Sequence, residues 1–331
     1  MTYNPDPTSN KNQVDPRDAY HRYADLIAEL LVHISGPTTF AIEADFTQEK
    51  QAGVHVLQVE RGCIFPRLLL DASAASTRLQ SIDRLIQVTF SNGTATDLNQ
   101  LTIVDRTGQT RSIYRPMLVY NWLCAFRDAY EQLPREEFGR WENALLYWAE
   151  SLALRLGEFD WPKHVIDASH GEHVAEACWS ALALHVAGKV FIRDGFTDLA
   201  GDVFGKLLAC QTPTGPFLTA TASDNLETTT YYELAILHAA ASYAVQCESR
   251  GMAKAVMKAT QFHLNETQPD HATNQPFGLF GFIWNAQTHL MADSMLHALS
   301  VNHGSDNIAD TSGITAMLLA DTLQCLRLFK S

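Results

Sequence analysis

The chain has 331 residues, 46% of them apolar, and carries 24 Lys plus Arg against 37 Asp plus Glu, a net charge of -13. That size and apolar content allow a packed core, while the acidic balance, with no basic patch along the sequence, excludes nucleic acid as the expected partner. No apolar run approaches the roughly 18 to 20 residues that a membrane-spanning helix needs, so no membrane span is expected.

Residues 1–16 are polar and rich in Pro and Asn, with neither the basic start nor the apolar stretch of a secretory signal, and read as a flexible arm. The six cysteines, Cys63, Cys124, Cys178, Cys210, Cys247 and Cys325, stand far apart without a C-x-x-C pair, so reduced thiols and a cytoplasmic location are the expectation. Residues 17–115 read as a mixed α/β region. A helix is predicted over 17–34, capped by Asp15 before Pro16, with Ala24, Leu26, Ile27, Leu30 and Leu31 at helical spacing. Short β-branched segments follow at 38–44, 53–60, 84–91, 101–105 and 111–114. The last two, joined by Arg106 to Thr110 with a central Gly108, are predicted to form a hairpin.

From Pro116 the strand signal gives way to helical patterns at 116–132, 136–156, 170–193, 195–210, 227–249, 251–265, 286–302 and 312–329. Short turns, Asp194-Gly195 and Arg250-Gly251, join the members of a pair, whereas long connections at 157–169, 211–226 and 266–285 lead from one pair to the next. The dipeptides Leu184-His185, Leu237-His238 and Leu296-His297 recur with their His residues 53 and 59 positions apart (238 minus 185, 297 minus 238), the period of a repeated helical pair. The first helix of each pair, the one carrying Leu-His, is expected inside, its His packed in the wall. The long loops should then gather on one rim.

Gln211-Thr-Pro-Thr-Gly215-Pro-Phe217 is similar to the Q-x-x-x-G-x-W repeat of terpenoid cyclases, and Gln275-Pro-Phe-Gly278-Leu-Phe280 is a shorter echo of it. The last 200 or so residues thereby resemble the α/α toroid of terpenoid cyclases, prenyltransferase β-subunits, polysaccharide lyases and some glycoside hydrolases. The resemblance implies an incomplete α/α toroid of helical hairpins over 116–331, mainly α, with a small N-terminal β-containing region. It also implies that Gln211 caps a helix end beside the ring of Phe217. The D-x-D-D acid motif of the squalene-type cyclases and the zinc set of the prenyltransferases are absent from this sequence.

Three clusters carry candidate chemistry. Asp160, Trp161, His164, Asp167, His170, Glu172, His173 and Glu176 surround one helix start, where His170, His173 and Glu176 share a face that suits either acid–base use or a metal. At the next start, Asn225, Thr229 and Glu233 fall at i, i+4 and i+8, which resembles the Mg²⁺ triad of class I terpene synthases, with Asp306 to Asp310 resembling its acidic partner. Tyr231 and Tyr232 beside them suit sugar contact or proton donation; in toroid lyases Tyr and His form the acid–base pair. In the third cluster Phe277, Phe280, Phe282 and Trp284 form an aromatic strip, and His289 and Asp293 stand one helical turn apart.

The leading expectation is therefore a lyase or hydrolase acting on a small or oligomeric sugar- or uronate-type substrate. His170, His173, Tyr231, Glu233, His289 and Asp293 are its candidate catalytic groups. Trp161, His164, Phe217, Asn225, Tyr232, Phe282 and Trp284 are its candidate substrate contacts. No metal or cofactor is called for, except Mg²⁺ in the alternative of an isoprenoid cyclase or synthase. A non-catalytic helical scaffold that binds a peptide or protein is the third reading.

Overall fold

The computed structural model of the chain describes residues 16–35, 50–51, 54–58, 98, 101–104, 110–129, 135–162, 165–220, 224–267, 275–303 and 313–329. Residues 1–15 of the expected arm, the expected strands at 38–44 and 84–91, His164 and the Asp306 to Asp310 motif lie outside them, and Pro16, the arm's last residue, instead opens the first helix.

Among the described residues the chain is mainly helical: α1 Pro16–Ser35, α2 Tyr114–Ala129, α3 Arg135–Gly157, α4 Gly171–Val190, α5 Asp194–Cys210, α6 Leu226–Gln246, α7 Arg250–Phe262, α8 Leu279–Trp284, α9 His289–His303 and α10 Gly313–Leu328. Three short strands, β1 Lys50–Gln51, β2 Val54–Gln58 and β3 Leu101–Val104, form one sheet. The predicted hairpin does not form. Leu101–Val104 pairs with β2 in parallel register, Val56 opposite Thr102, and Tyr114 already opens α2. Ile113 and Tyr114 are fully buried at the root of that helix, so packing against the helical body overrides the β-branched signal of 111–114.

Burial divides the helices into two layers. In α4, 15 of 20 residues are buried and in α6, 15 of 21, whereas α5 and α7 each bury five; only helices enclosed on all sides bury so large a share. Packing runs in succession from α2 to α4 to α6, and α10 touches both α6 and α2, so the inner helices return on themselves. Helices α3, α5, α7, α9 and α1 lie outside them, and α1 packs on α10 and α9.

The third Leu-His pair departs from the expected phase. Leu296-His297 lies on α9, an outer helix, and His297 is exposed. The inner member of that pair is the two-turn α8, which sequence periodicity passes over because Leu279 to Ile283 is buried all round and shows no polar face. Gly278 starts it in the left-handed region (φ 76°), where an added Cβ would lie 3.2 Å from Leu237.

Helices α4 and α6 end alike. In each, a 6→1 bond closes the last turn (Arg193 N–H to Gly188 O, 2.8 Å; Ser249 N–H to Ala244 O, 2.9 Å), and the residue before it is left-handed: Ile192 at φ 55° and Glu248 at φ 52°. The repeat read from Leu-His is thus physical at the chain reversals, which are short and alike.

A buried polar cluster joins the inner helices at mid-height. The Asp321 carboxylate on α10 accepts from Tyr120 of α2 (2.5 Å), His238 Nε2 of α6 (3.2 Å) and Ser242 of α6. The Gly278 N–H donates to His238 Nδ1 (3.2 Å), which puts the imidazole proton on Nε2, and Trp179 of α4 stacks on the ring. His238 is therefore structural, as the repetition of Leu-His implied. His185 is buried as well, against the Cys247 thiol (Sγ to Nε2 3.3 Å).

Candidate functional site

The last turns of α2, α4, α6, α8 and α10 line one cavity of about 490 Å³ at one end of the inner layer. Arg127, Lys189 and Arg250 border it together with Trp284 and Phe329. Its charge has a local explanation. Arg127 and Lys189 stand in the last turns of their helices, where unsatisfied carbonyls favour cations, and Lys189 Nζ donates to the Gln246 carbonyl (3.3 Å).

The first turns meet at the other end, with the long connections. Ile166 and Asp167 of the 157–170 connection pair in parallel with Leu218 and Thr219 of the 211–225 connection. Glu233 of α6 pins the second connection: its two carboxylate oxygens accept the Phe217 N–H (2.8 Å) and the Leu218 N–H (2.7 Å). Gln211 Nε2 pins it again, donating to the Gly215 carbonyl (2.6 Å) and to Ala255 O of α7 (2.8 Å). The Gln211 side chain thus reaches the middle of α7 rather than the end of its own helix, and Phe217 is core.

Between this loop, the start of α6 and the end of α7 lies a cavity of about 230 Å³. Thr212, Thr214, Thr219, Thr229, Thr230 and Thr267 contribute six hydroxyl-bearing side chains to its lining, and Glu233 is the acidic one. Helix α7 ends in a π-turn over His263–Thr267, the kind of irregularity that recurs at functional sites. Here it turns His263, 1% exposed, into the cavity wall.

His263 Nδ1 lies 2.7 Å from the Thr267 hydroxyl, which ties the imidazole to the π-turn. Nε2 is buried without a hydrogen-bond partner, and it stands 3.7 Å from Glu233 Oε1. The imidazole and the carboxylate thus stand side by side at a distance longer than a hydrogen bond.

A second cluster lies on the other side of the α6 start. Tyr231 O–H donates to Gln275 Oε1 (2.9 Å), Gln275 Nε2 donates to the Tyr114 oxygen (3.4 Å), and Tyr114 O–H faces the Tyr231 oxygen (3.4 Å), a closed ring of three donors and three acceptors. The Arg111 guanidinium lies 4.1 Å over the Tyr231 ring and bonds the Tyr232 hydroxyl (3.3 Å). Burial, reinforced by Tyr114, pushes the Tyr231 hydroxyl far above the usual phenol range, so it keeps its proton. Burial also opposes ionisation of Glu172, but the Ser112 N–H (3.1 Å) and the Tyr232 hydroxyl outweigh it and hold the carboxyl below its ordinary value.

The other sequence candidates are dispersed. His170 bonds Asp167 (2.7 Å) on the surface, His173 is exposed, and Glu176 pairs with Arg155, so the face that suited a His, His, Glu set is divided among separate partners. Asn225 caps α6 by accepting from Thr228 N–H (3.1 Å), and Thr229 donates to the Asn225 carbonyl (3.0 Å). With Glu233 taken by the loop, each member of the Mg²⁺-like triad has a main-chain partner. Among the described residues no three His, Cys, Asp or Glu side chains group as a metal would need.

His289 donates Nε2–H to the Ile283 carbonyl (2.8 Å), and Asp293 pairs with Arg22 of α1 (3.1 Å), so these two do not meet. Phe282 is core, Trp284 borders the larger cavity, and Trp161 packs edge-on to Phe159. Sequence reasoning named Glu233 but missed His263 and Thr267, because 251–265 reads as one uninterrupted helix. The available signal was the run of threonines at 212, 214, 219 and 228–230. Comparisons with protein-family models, with curated proteins and with solved structures each returned no match.

Proposed function

We propose that the chain is a small-molecule enzyme of the α/α-toroid type, a lyase or hydrolase whose substrate is sugar-like in its hydroxyl content. His263 and Glu233 are its acid–base pair. The observation that carries this reading is the buried, unpartnered Nε2 of His263 facing Glu233 inside a threonine-lined cavity. A buried polar atom without a partner costs about 1–3 kcal/mol. A site that takes a donor from its ligand accounts for that cost.

His263 Nε2 takes the proton of the substrate's donor group, and the Glu233 carboxylate stabilises the imidazolium that results. Loop pairing through β4 (Ile166–Asp167) and β5 (Leu218–Thr219), together with the two main-chain bonds to Glu233, holds the carboxylate in place for this step. The return of α10 to α2 supports the toroid reading. A uronate carboxylate is the least suited of the expected substrates, because among the described residues the cavity lining offers it Glu233 and no cation.

The test is a turnover screen of neutral, amino and uronate mono- and oligosaccharides, saturated and unsaturated. Turnover of at least one, lowered 100-fold or more by His263→Ala, is the expected result. No turnover across the set, or turnover that His263→Ala leaves intact, would overturn the reading.

A further inference from the structure

The larger cavity carries charge that the helix ends do not use up. Its volume of about 490 Å³ lies within the roughly 300–1,000 Å³ of small-molecule sites. The last carbonyls of α6 are satisfied mainly by main chain: Tyr243 O by the Cys247 N–H (3.0 Å), Ala244 O by the Ser249 N–H (2.9 Å) and Val245 O by the Glu248 N–H (3.2 Å). Gln246 O takes one of the three N–H groups of Lys189 (3.3 Å), so two remain for a ligand. Helix carbonyls do not explain Arg250 at all, because it opens α7 instead of closing a helix, and it is exposed. Arg127 is paired with Asp128 (2.9 Å), which leaves Lys189 and Arg250 against Glu248, the carboxylate of the lining among the described residues. That is a surplus of one positive charge in a protein of net charge -13. It is felt in the core: burial first, and then the charges of Lys189 and Arg127, hold the His185 imidazole below its ordinary pKa.

The apolar part of the lining comes from other elements. Trp284 ends α8, and Leu328 and Phe329 close the chain's last helix, 42% and 44% exposed. Trp284 meets Phe329 edge-on with ring centroids 5.5 Å apart. Large apolar side chains left open in a concave wall mark a place for an apolar ligand surface. An inorganic anion would leave these rings wet, and a neutral aromatic would leave the charge unanswered. We infer that this cavity binds a small carboxylate with a flat apolar body, its carboxylate on Lys189 and Arg250 and its body on Trp284 and Phe329. Lys189 meets the carboxylate as a compact charge, and the Arg250 fork suits its two oxygens. A single negative charge balances the surplus, which favours a carboxylate over a doubly charged phosphate. The site lies at the opposite end of the inner helices from the threonine-lined cavity and does not draw on the reading of it.

2-Naphthoate, 2-naphthamide and acetate separate the charge from the body. Calorimetric titration of the full chain is expected to show 2-naphthoate binding at least about tenfold more tightly than either of the others. Equal affinity for 2-naphthamide would mean that no charge is read, and equal affinity for acetate that no apolar body is. Either result would overturn the assignment, as would the absence of 2-naphthoate binding. Lys189→Gln combined with Arg250→Gln should remove the preference over 2-naphthamide, and a preference that survives both changes would place the anion elsewhere and overturn the site. Lys189→Gln also gives up the bond to Gln246. If the double variant fails to fold, Arg250→Gln alone decides: a loss of about threefold for 2-naphthoate is expected, and unchanged affinity counts against the assignment.

Discussion

The two ends of the inner helices are built on opposite plans. Where α4 and α6 finish, the chain reverses in turns of the same geometry, and Lys189 there is matched to the Gln246 carbonyl. Where they begin, the connections are long, differ from one another, and are held by side chains, Glu233 and Gln211, rather than by a repeated turn. The larger cavity is at the first end and the smaller at the second. Volume therefore does not select the site; the buried His263 and Glu233 side by side in a threonine-bearing wall do.

The cluster between the ends tests whether they share one scaffold. Asp321→Ala would strand Tyr120, Ser242 and His238 as buried donors, and urea unfolding is expected to show a loss of about 4 kcal/mol. A loss below about 1 kcal/mol would show that the inner helices do not depend on this cluster.

The turn end is expected to be sensitive to acid. Burial, with Lys189 and Arg127 adding repulsion, lowers the His185 pKa to about 4, against about 6.5 in an unfolded chain. Between those values the unfolded state binds a proton that the folded state does not. Stability is therefore complete above about pH 6.5 and falls as pH drops toward 4, by about 2 kcal/mol at pH 5 for this residue. Urea titrations at pH 7 and pH 5 should show that slope, and His185→Gln should flatten it.

The smallest effect has the opposite sign. Ile192 is β-branched, 87% exposed and left-handed, so Ile192→Gly releases strain and should raise stability by roughly 1 kcal/mol in a thermal melt, leaving His263-dependent turnover unchanged. A shift in turnover would mean that the two ends are coupled.

The outer helices were legible in the sequence because amphipathic spacing is a local signal, but the reversals fall at 191–193 and 247–249, just before the expected Asp194-Gly195 and Arg250-Gly251, which instead open α5 and α7. Helix α1 is found over 16–35 against a predicted 17–34. Helix α8 was not legible, since a segment buried on every side carries no periodicity. At the site, Glu233 was visible at the right helical offset, but its role in holding Phe217 and Leu218 is a contact between residues 15 and 16 positions apart. His263 was hidden for a different reason: an α-to-π change in the last turn redirects a side chain without altering residue type or spacing. His289 and Asp293 satisfy the i, i+4 rule, yet each found a stronger partner off its own helix.

Helix α1 supplies Tyr23, Ile27, Leu30 and Leu31 to the core, but its partners come from the far end of the chain: Tyr20 donates to the Trp284 carbonyl across 264 residues and Arg22 meets Asp293 across 271. Synthesis at about 5–20 residues per second separates those partners by on the order of 10–50 s. The apolar face of α1 thus waits for partners made long after it, and for that interval it is open to chaperones.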